Sequence, residues 1–376
     1  MKNNISSKIS SGLLFLFISL MQFYVFSSGS LQPSYIAGLA FVLVMFVSTG
    51  VRVQTAQPIK LFYAYVGYAA LVDLSYAFLL QSEDFLGSTL YMIYNLLLFT
   101  ALIAYFQRNT DKLQSSVVLP SFLALVLLVS FYFTGIGRYD FWPRYNGFFN
   151  DPNQMAHFAL CIMCVIWLVG TSNKVKYVAF ALSLIICVVS ASRSSLLGLL
   201  VALVGIAWYM YCEISSRSKS AQNVYKLTFV ILLSVLVYFL LKSDALTKIQ
   251  AVSYFLDRTA EIDVSQQSDG RGFTQALDNW DYMFFGAGKG RPDRFGMLGE
   301  IHSNWIGTLF YYGLPGLFLV VFFLFSMIRK LPLPLILISL SPLLYGFTTY
   351  GLRTPVFYLY AAALFIRSNQ SNTRCH

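Results

Sequence analysis

Apolar runs of about 20 residues, each ended by a short polar break, set the pattern of this chain. Runs of that length without charges predict membrane-spanning helices. They fall at about residues 11–27, 33–50, 59–80, 86–106, 115–134, 154–170, 176–191, 194–212, 225–241, 303–328, 332–349 and 354–367. The fold class this predicts is all-α: a polytopic membrane protein of twelve transmembrane helices, with 1–376 forming a single integral membrane domain. Two connections are longer than turns, 135–153 and 242–302. Long connections in compact proteins are usually functional or disordered. The second carries Tyr254–Phe255–Leu256 and an aromatic run from Phe273 to Phe285, which predict short helices lying on the membrane face. No internal repeat of the kind that builds two-halved transporters is visible.

Composition agrees with the pattern. The chain is 57% hydrophobic and 11% charged, where a soluble domain carries about 25% charged residues. The net charge of +10 is therefore read as topology rather than as a nucleic-acid footprint. With the amino end inside, the inner segments hold Lys2, Lys8, Arg52, Lys60, Arg108, Lys112, Lys174, Lys176, Arg217, Lys219, Lys226, Arg329, Lys330, Arg367 and Arg374. Of the short outer segments, 28–32 and 81–85 carry no Lys or Arg, and two others carry only Arg193 or Arg353. That alternation predicts both termini in the cytoplasm and both long loops outside. The basic amino end before Gly12–Phe26 reads as a retained first helix, because no small-x-small cleavage site follows. Cys161, Cys164, Cys187 and Cys212 lie in apolar spans and read as small core residues.

The stretch from Gly270 to Gly316 concentrates the candidate chemistry. Arg271, Lys289, Arg291 and Arg294 stand among glycines, with His302 just before the chain re-enters an apolar span. A cationic, glycine-rich loop at a membrane surface suits a lipid-linked, phosphate-bearing substrate. GAGKGRPDRFG has no Walker pattern and is expected outside, so nucleotide binding is rejected. Arg271 opens an amphipathic segment, where a helix start favours phosphate; a solvated loop arginine is the plainer reading. Arg193, in SASRSSLLG, sits at a tight outer junction of two spans. It either snorkels to the interface or aims into a cavity where an anion offsets its cost. His302 is an interfacial hydrogen-bonder or a proton acceptor near neutral pH. His157 reads as a buried polar residue satisfied within the bundle, and Asp73 receives no role. Glu261 and Asp263 are too few oxygens for a divalent ion, so no metal and no cofactor are expected.

Five segments together resemble the O-antigen ligase and polymerase superfamily of bacterial envelope glycosyltransferases. They are Arg144 followed by GFFNDPNQMA (Gly147–Ala156), SASRSSLLG (Ser190–Gly198), Arg271 with Trp280, FFGAGKG (Phe284–Gly290), and HSNWIGTLFYYGLPGL (His302–Leu317). Their order and the large outer loop match over about residues 130–320, while the first four spans match only as hydrophobic helices. The resemblance implies a metal-independent, membrane-embedded glycosyltransferase of C-type architecture, acting on the periplasmic side of the inner membrane. It implies an undecaprenyl-diphosphate-linked oligosaccharide as donor, Arg193 and Arg271 as catalytic cations, and His302 as the group that orients or deprotonates the attacking hydroxyl. Arg144, Asn153 and Arg291 are carried as substrate-binding residues.

The segment GFFNDPNQ is closer to polymerases than to ligases. The expected function is therefore polymerisation of lipid-linked repeat units into O-antigen or a similar surface polysaccharide, within lipopolysaccharide biosynthesis. The alternative is a ligase transferring the glycan to lipid A–core; a lipid-linked sugar transporter or a partner-binding membrane protein stands further off. Donor and acceptor lipids, the membrane and a chain-length regulator are the expected partners, and nucleic acid is not.

Overall fold

The computed structural model describes residues 2–26, 30–49, 56–215, 272–297 and 299–372. The predicted span at 225–241, most of the long outer loop and Arg271 lie outside the described residues. Among the described residues there are twelve α-helices: α1 (Lys2–Leu20), α2 (Pro33–Thr49), α3 (Gln57–Leu80), α4 (Asp84–Arg108), α5 (Leu119–Phe133), α6 (Pro152–Val169), α7 (Asn173–Val189), α8 (Arg193–Ser215), α9 (Phe273–Asp278), α10 (Asn304–Ile328), α11 (Leu333–Tyr345) and α12 (Pro355–Asn372). Among the described residues there is no strand; two isolated bridges, Arg138 to Gly147 and Phe141 to Arg144, shape the loop before α6. Among the described residues six helical stretches, Gln57–Leu80, Asp84–Arg108, Gln114–Phe133, Pro152–Val169, Arg193–Glu213 and Asn304–Ile328, are long and apolar enough to cross a membrane. Ser6–Leu20, Pro33–Ser48 and Leu333–Tyr345 are shorter apolar helices. The chain is a helical, multi-pass membrane protein.

The bundle is built around α6 and α12. A helix that is hydrophobic on every side belongs in the middle of a bundle. From Phe158 to Trp167 every residue of α6 is at most 2% exposed, and Phe357 to Phe365 of α12 are buried as completely. α6 packs on α5, α7, α8, α11 and α12, while α12 also touches α4 and α10. Outward faces such as Leu71, Phe78, Leu200 and Phe318 stay exposed, as a lipid-facing surface requires. α8 lies closely along α11 because Gly198 and Gly205 carry no side chain there. A Cβ on either would come within 2.7 Å of the Ser341 or Pro334 carbonyl oxygen.

Two predicted spans are cut differently in the structure. The run at 303–328 is interrupted at Gly313 (φ 65°, ψ −174°), where a Cβ would meet the Phe284 carbonyl at 2.6 Å. The run at 332–349 stops at Tyr345, and the chain turns through Gly346–Tyr350 into a single 3-10 turn, Gly351–Arg353. Apolar content alone extended that prediction by four residues. The backbone leaves the helix there because the Gly346 carbonyl accepts the Asn304 amide at 2.7 Å instead.

Candidate functional site

A cavity of about 480 Å³ opens at the end of the bundle where α6, α8, α10 and α12 begin. Its walls are Arg144, Asp151, Asn153, Gln154 and His157; Ala191–Ser194; His302; Thr348–Tyr350; and Arg353 with Thr354. Its volume is in the range of small-ligand sites.

Each wall is fixed by local chemistry. Asp151 and Pro152 start α6: the aspartate is extended and its carboxylate accepts the Asn153 amide, while proline suits the first helical position. The loop before it carries Arg144 in, with the Tyr145 amide bonded to the Val189 carbonyl at the end of α7. Arg144 is 8% exposed and donates through Nε to the Ser190 carbonyl (2.9 Å) and through Nη2 to Asn153 Oδ1 (2.8 Å). Tyr345 closes the circuit: its hydroxyl donates to the Asn153 carbonyl (2.9 Å) and accepts from Ser192 Oγ (3.2 Å). The tight junction between α7 and α8 needs Ala191 in the left-handed region, φ 47°, a conformation that costs a non-glycine residue about 1–2 kcal/mol. That turn brings Ser192, Arg193 and Ser194 to the cavity.

The His302–Trp305 segment divides its labour. Ser303 caps α10 by accepting the Ile306 amide at 3.2 Å. Asn304 accepts the Leu352 amide at 2.9 Å, and Trp305 Nε1 donates to the Leu343 carbonyl at 3.1 Å. These three pin the start of α10 to the end of α11 and the turn beyond it. His302, exposed, faces the cavity they frame.

Of the residues expected at the site, Arg144, Asn153, Arg193 and His302 meet in this one cavity. Arg291 does not line it. Its guanidinium is held by Asp293, two residues on, at 2.9 Å on an exposed turn. The glycine-rich loop also departs from the expectation of a phosphate cradle. Its amides are spent inward: Gly286 on the Tyr282 carbonyl, Ala287 on Phe310, Gly288 on Tyr311, and Lys289 on Asp73 Oδ1 at 2.7 Å. Arg294 donates to the Ala287 and Gly290 carbonyls and lies over the rings of Tyr76 and Phe85. The loop is a clamp between α3, α4 and α10, and Asp73, which also accepts from Thr89 and Tyr312, is its anchor.

Sequence reasoning passed over Arg353, Asp151 and the Thr348–Tyr350 segment. Arg353 was legible only as one of the rare outer cations. In the fold it lines the cavity and donates to Glu300 Oε2 at 2.8 Å. Lys289 Nζ reaches the same oxygen at 3.5 Å and lies 4.2 Å from the centre of the Tyr350 ring. Burial pushes Lys289 below the ordinary lysine value, against the pull of Glu300. Burial also acts to raise Glu300, but the Lys289 and Arg353 cations outweigh it and hold the carboxyl below the usual range. His157 is buried as expected, its ring stacked 5.9 Å from that of Tyr345, and it also forms part of the cavity wall.

Three arginines and two histidines thus face one carboxylate, Asp151, at the starts of four helices. Helix starts add partial positive charge, so the site as a whole favours an anion. Among the described residues no group of three His, Cys, Asp or Glu side chains is placed to hold a metal ion. Compared with protein-family models and with curated proteins, the chain matches none.

Proposed function

We propose that this protein is a membrane-embedded glycosyltransferase that polymerises undecaprenyl-diphosphate-linked oligosaccharide repeats into O-antigen or a similar surface polysaccharide. The observation that carries the reading is the convergence of Arg144, Arg193, Arg353 and His302 on one cavity at one end of a helical membrane bundle. In the proposed reaction the bond between the donor's anomeric carbon and the diphosphate oxygen breaks, and the electron pair leaves with undecaprenyl diphosphate. An acceptor-sugar hydroxyl forms the new bond and gives its proton to His302. A diphosphate is already a good leaving group, so the site's main task is to hold cations where negative charge grows. Arg193 and Arg353 take that role in this reading, and Arg144 orients Asn153 at the sugar side. Arg271 belongs to the same proposal as a further cation from the long loop. We place the site on the periplasmic face of the inner membrane, in a twelve-span topology with both termini cytoplasmic.

A carrier fits less well. Between His157, at this cavity, and Leu168, at the opposite end, α6 runs through ten residues that are each at most 2% exposed. The floor of the cavity is therefore packed side chain rather than a polar path through the bundle.

The test is product size. Purified protein is reconstituted with one defined undecaprenyl-diphosphate oligosaccharide and no other acceptor. A glycan ladder spaced by one repeat supports the polymerase. A single transfer that appears only when lipid A–core is supplied replaces it with the ligase. Silence in both arms from a folded preparation overturns the transferase reading.

A further inference from the structure

A second cavity, of about 520 Å³, lies at the other end of α6 and α12. Its floor is apolar, with Leu113, Leu168 and Ile366 each no more than 7% exposed. Its mouth is polar, formed by Thr110, Asp111, Thr171 and Gln370. Lys176 and Arg367 bring two cations to the wall against the one carboxylate of Asp111.

Lys176 is the unusual member. It is 9% exposed, and its ammonium lies 5.8 Å from the centre of the Trp167 ring and 5.6 Å from that of Tyr209. Its charge is opposed by that of Arg367 and favoured by the carboxylate of Glu213, near the end of α8. Two ring faces and the Glu213 carboxylate stabilise the charge, and the ammonium at the cavity wall has N–H donors to offer an acceptor that enters the cavity. The ends of α6 and α12 here are C-terminal, so their dipoles hold the cations in place and offer no N–H groups to a ligand. Arg108, Lys112 and Lys174, on the neighbouring turns, raise the positive potential around the mouth.

We propose that this second cavity binds a phosphate-bearing anion, with Lys176 at its base and Arg367 in its wall. The phosphate comes either from the headgroup of an anionic phospholipid in the surrounding leaflet or from a free phosphate in solution. The site is independent of the sugar-transfer reading, which concerns the opposite end of the bundle.

The experiment is native mass spectrometry of the purified full chain titrated with phosphatidylglycerol or phosphatidylcholine, alongside thermal melting with inorganic phosphate at constant ionic strength. The lipid source predicts that phosphatidylglycerol is retained about tenfold over phosphatidylcholine, the weight of one hydrogen bond to a charged group. The free source predicts instead that phosphate raises the melting temperature while the two lipids bind alike. In either case Lys176→Gln removes the preference and Lys176→Arg keeps most of it. Gln370→Trp, which leaves Lys176 intact and fills the mouth, removes it too, so a folding defect in Lys176→Gln does not decide the matter. Equal binding of all probes by the wild type, or full retention by Gln370→Trp, overturns the proposal.

Discussion

The carboxylate of Glu300 lies 2.8 Å from the guanidinium of Arg353, and that pair joins the loop before α10 to the turn before α12 at the wall of the cavity that Arg193 and His302 share. Lys289 meets the same oxygen from the glycine-rich loop, so one half-buried carboxylate sets the position of a cavity-lining cation.

The pair gives the protein an acid limb. The folded pKa of Glu300 is depressed, so its contribution to stability is complete above the unfolded value of about 4.3 and is lost as pH falls through the lower folded value. Because Glu300 is partly exposed, screening keeps that contribution to about 1 kcal/mol. Melting curves recorded from neutral pH down to pH ~3 are expected to show Glu300→Gln less stable than wild type at neutral pH, with the two converging in acid. Parallel curves contradict the assignment.

The cations differ in what their loss does. Arg193→Ala, His302→Ala and Arg353→Ala are expected to lower glycosyl transfer in proteoliposomes by about a hundredfold or more, the scale of losing a group that stabilises transition-state charge or moves a proton. Arg291→Ala is expected to leave the rate unchanged, since its guanidinium is engaged by Asp293 outside the cavity. A loss in Arg291→Ala equal to that in Arg193→Ala makes the glycine-rich loop part of the site after all.

Arg144 is expected to tolerate no lysine. Its fork bonds the Ser190 carbonyl and Asn153 in fixed directions, and an ammonium cannot reproduce that geometry. Arg144→Lys should cost about 1–3 kcal/mol in denaturant titration, the weight of a buried hydrogen bond to a charged group. Asn153→Ala in the Arg144→Lys background should then add less than it does alone.

Two glycines in helices are expected to respond with opposite signs. At Gly12 an added Cβ meets nothing within 4 Å, so Gly12→Ala should gain up to about 1 kcal/mol from helix propensity. At Gly205 the added atom meets the Pro334 carbonyl, so Gly205→Ala should lose about 1–3 kcal/mol from overpacking against α11. Unfolding in a mixed-micelle denaturant series reads both.

The hydrophobic pattern by itself determined the helical membrane class and the approximate position of every helix seen where a span was expected. Membrane helices must satisfy their own backbone hydrogen bonds, so a long apolar run leaves the chain little choice. Sequence also singled out Arg193 and His302, because a charge or imidazole beside an apolar run stands out, and the family resemblance added Arg144 and Asn153. What it could not decide is which cations share a space. Arg291 and Arg353 look alike in sequence, but one has Asp293 two residues away on the same turn, whereas the other meets a carboxylate 53 residues distant. The glycine-rich loop likewise read as an anion cradle until its amides found partners on α3 and α10. Those partners, like the Lys176 ammonium over its two rings, are brought near only by helix packing, and packing is a relation between segments that no local pattern encodes.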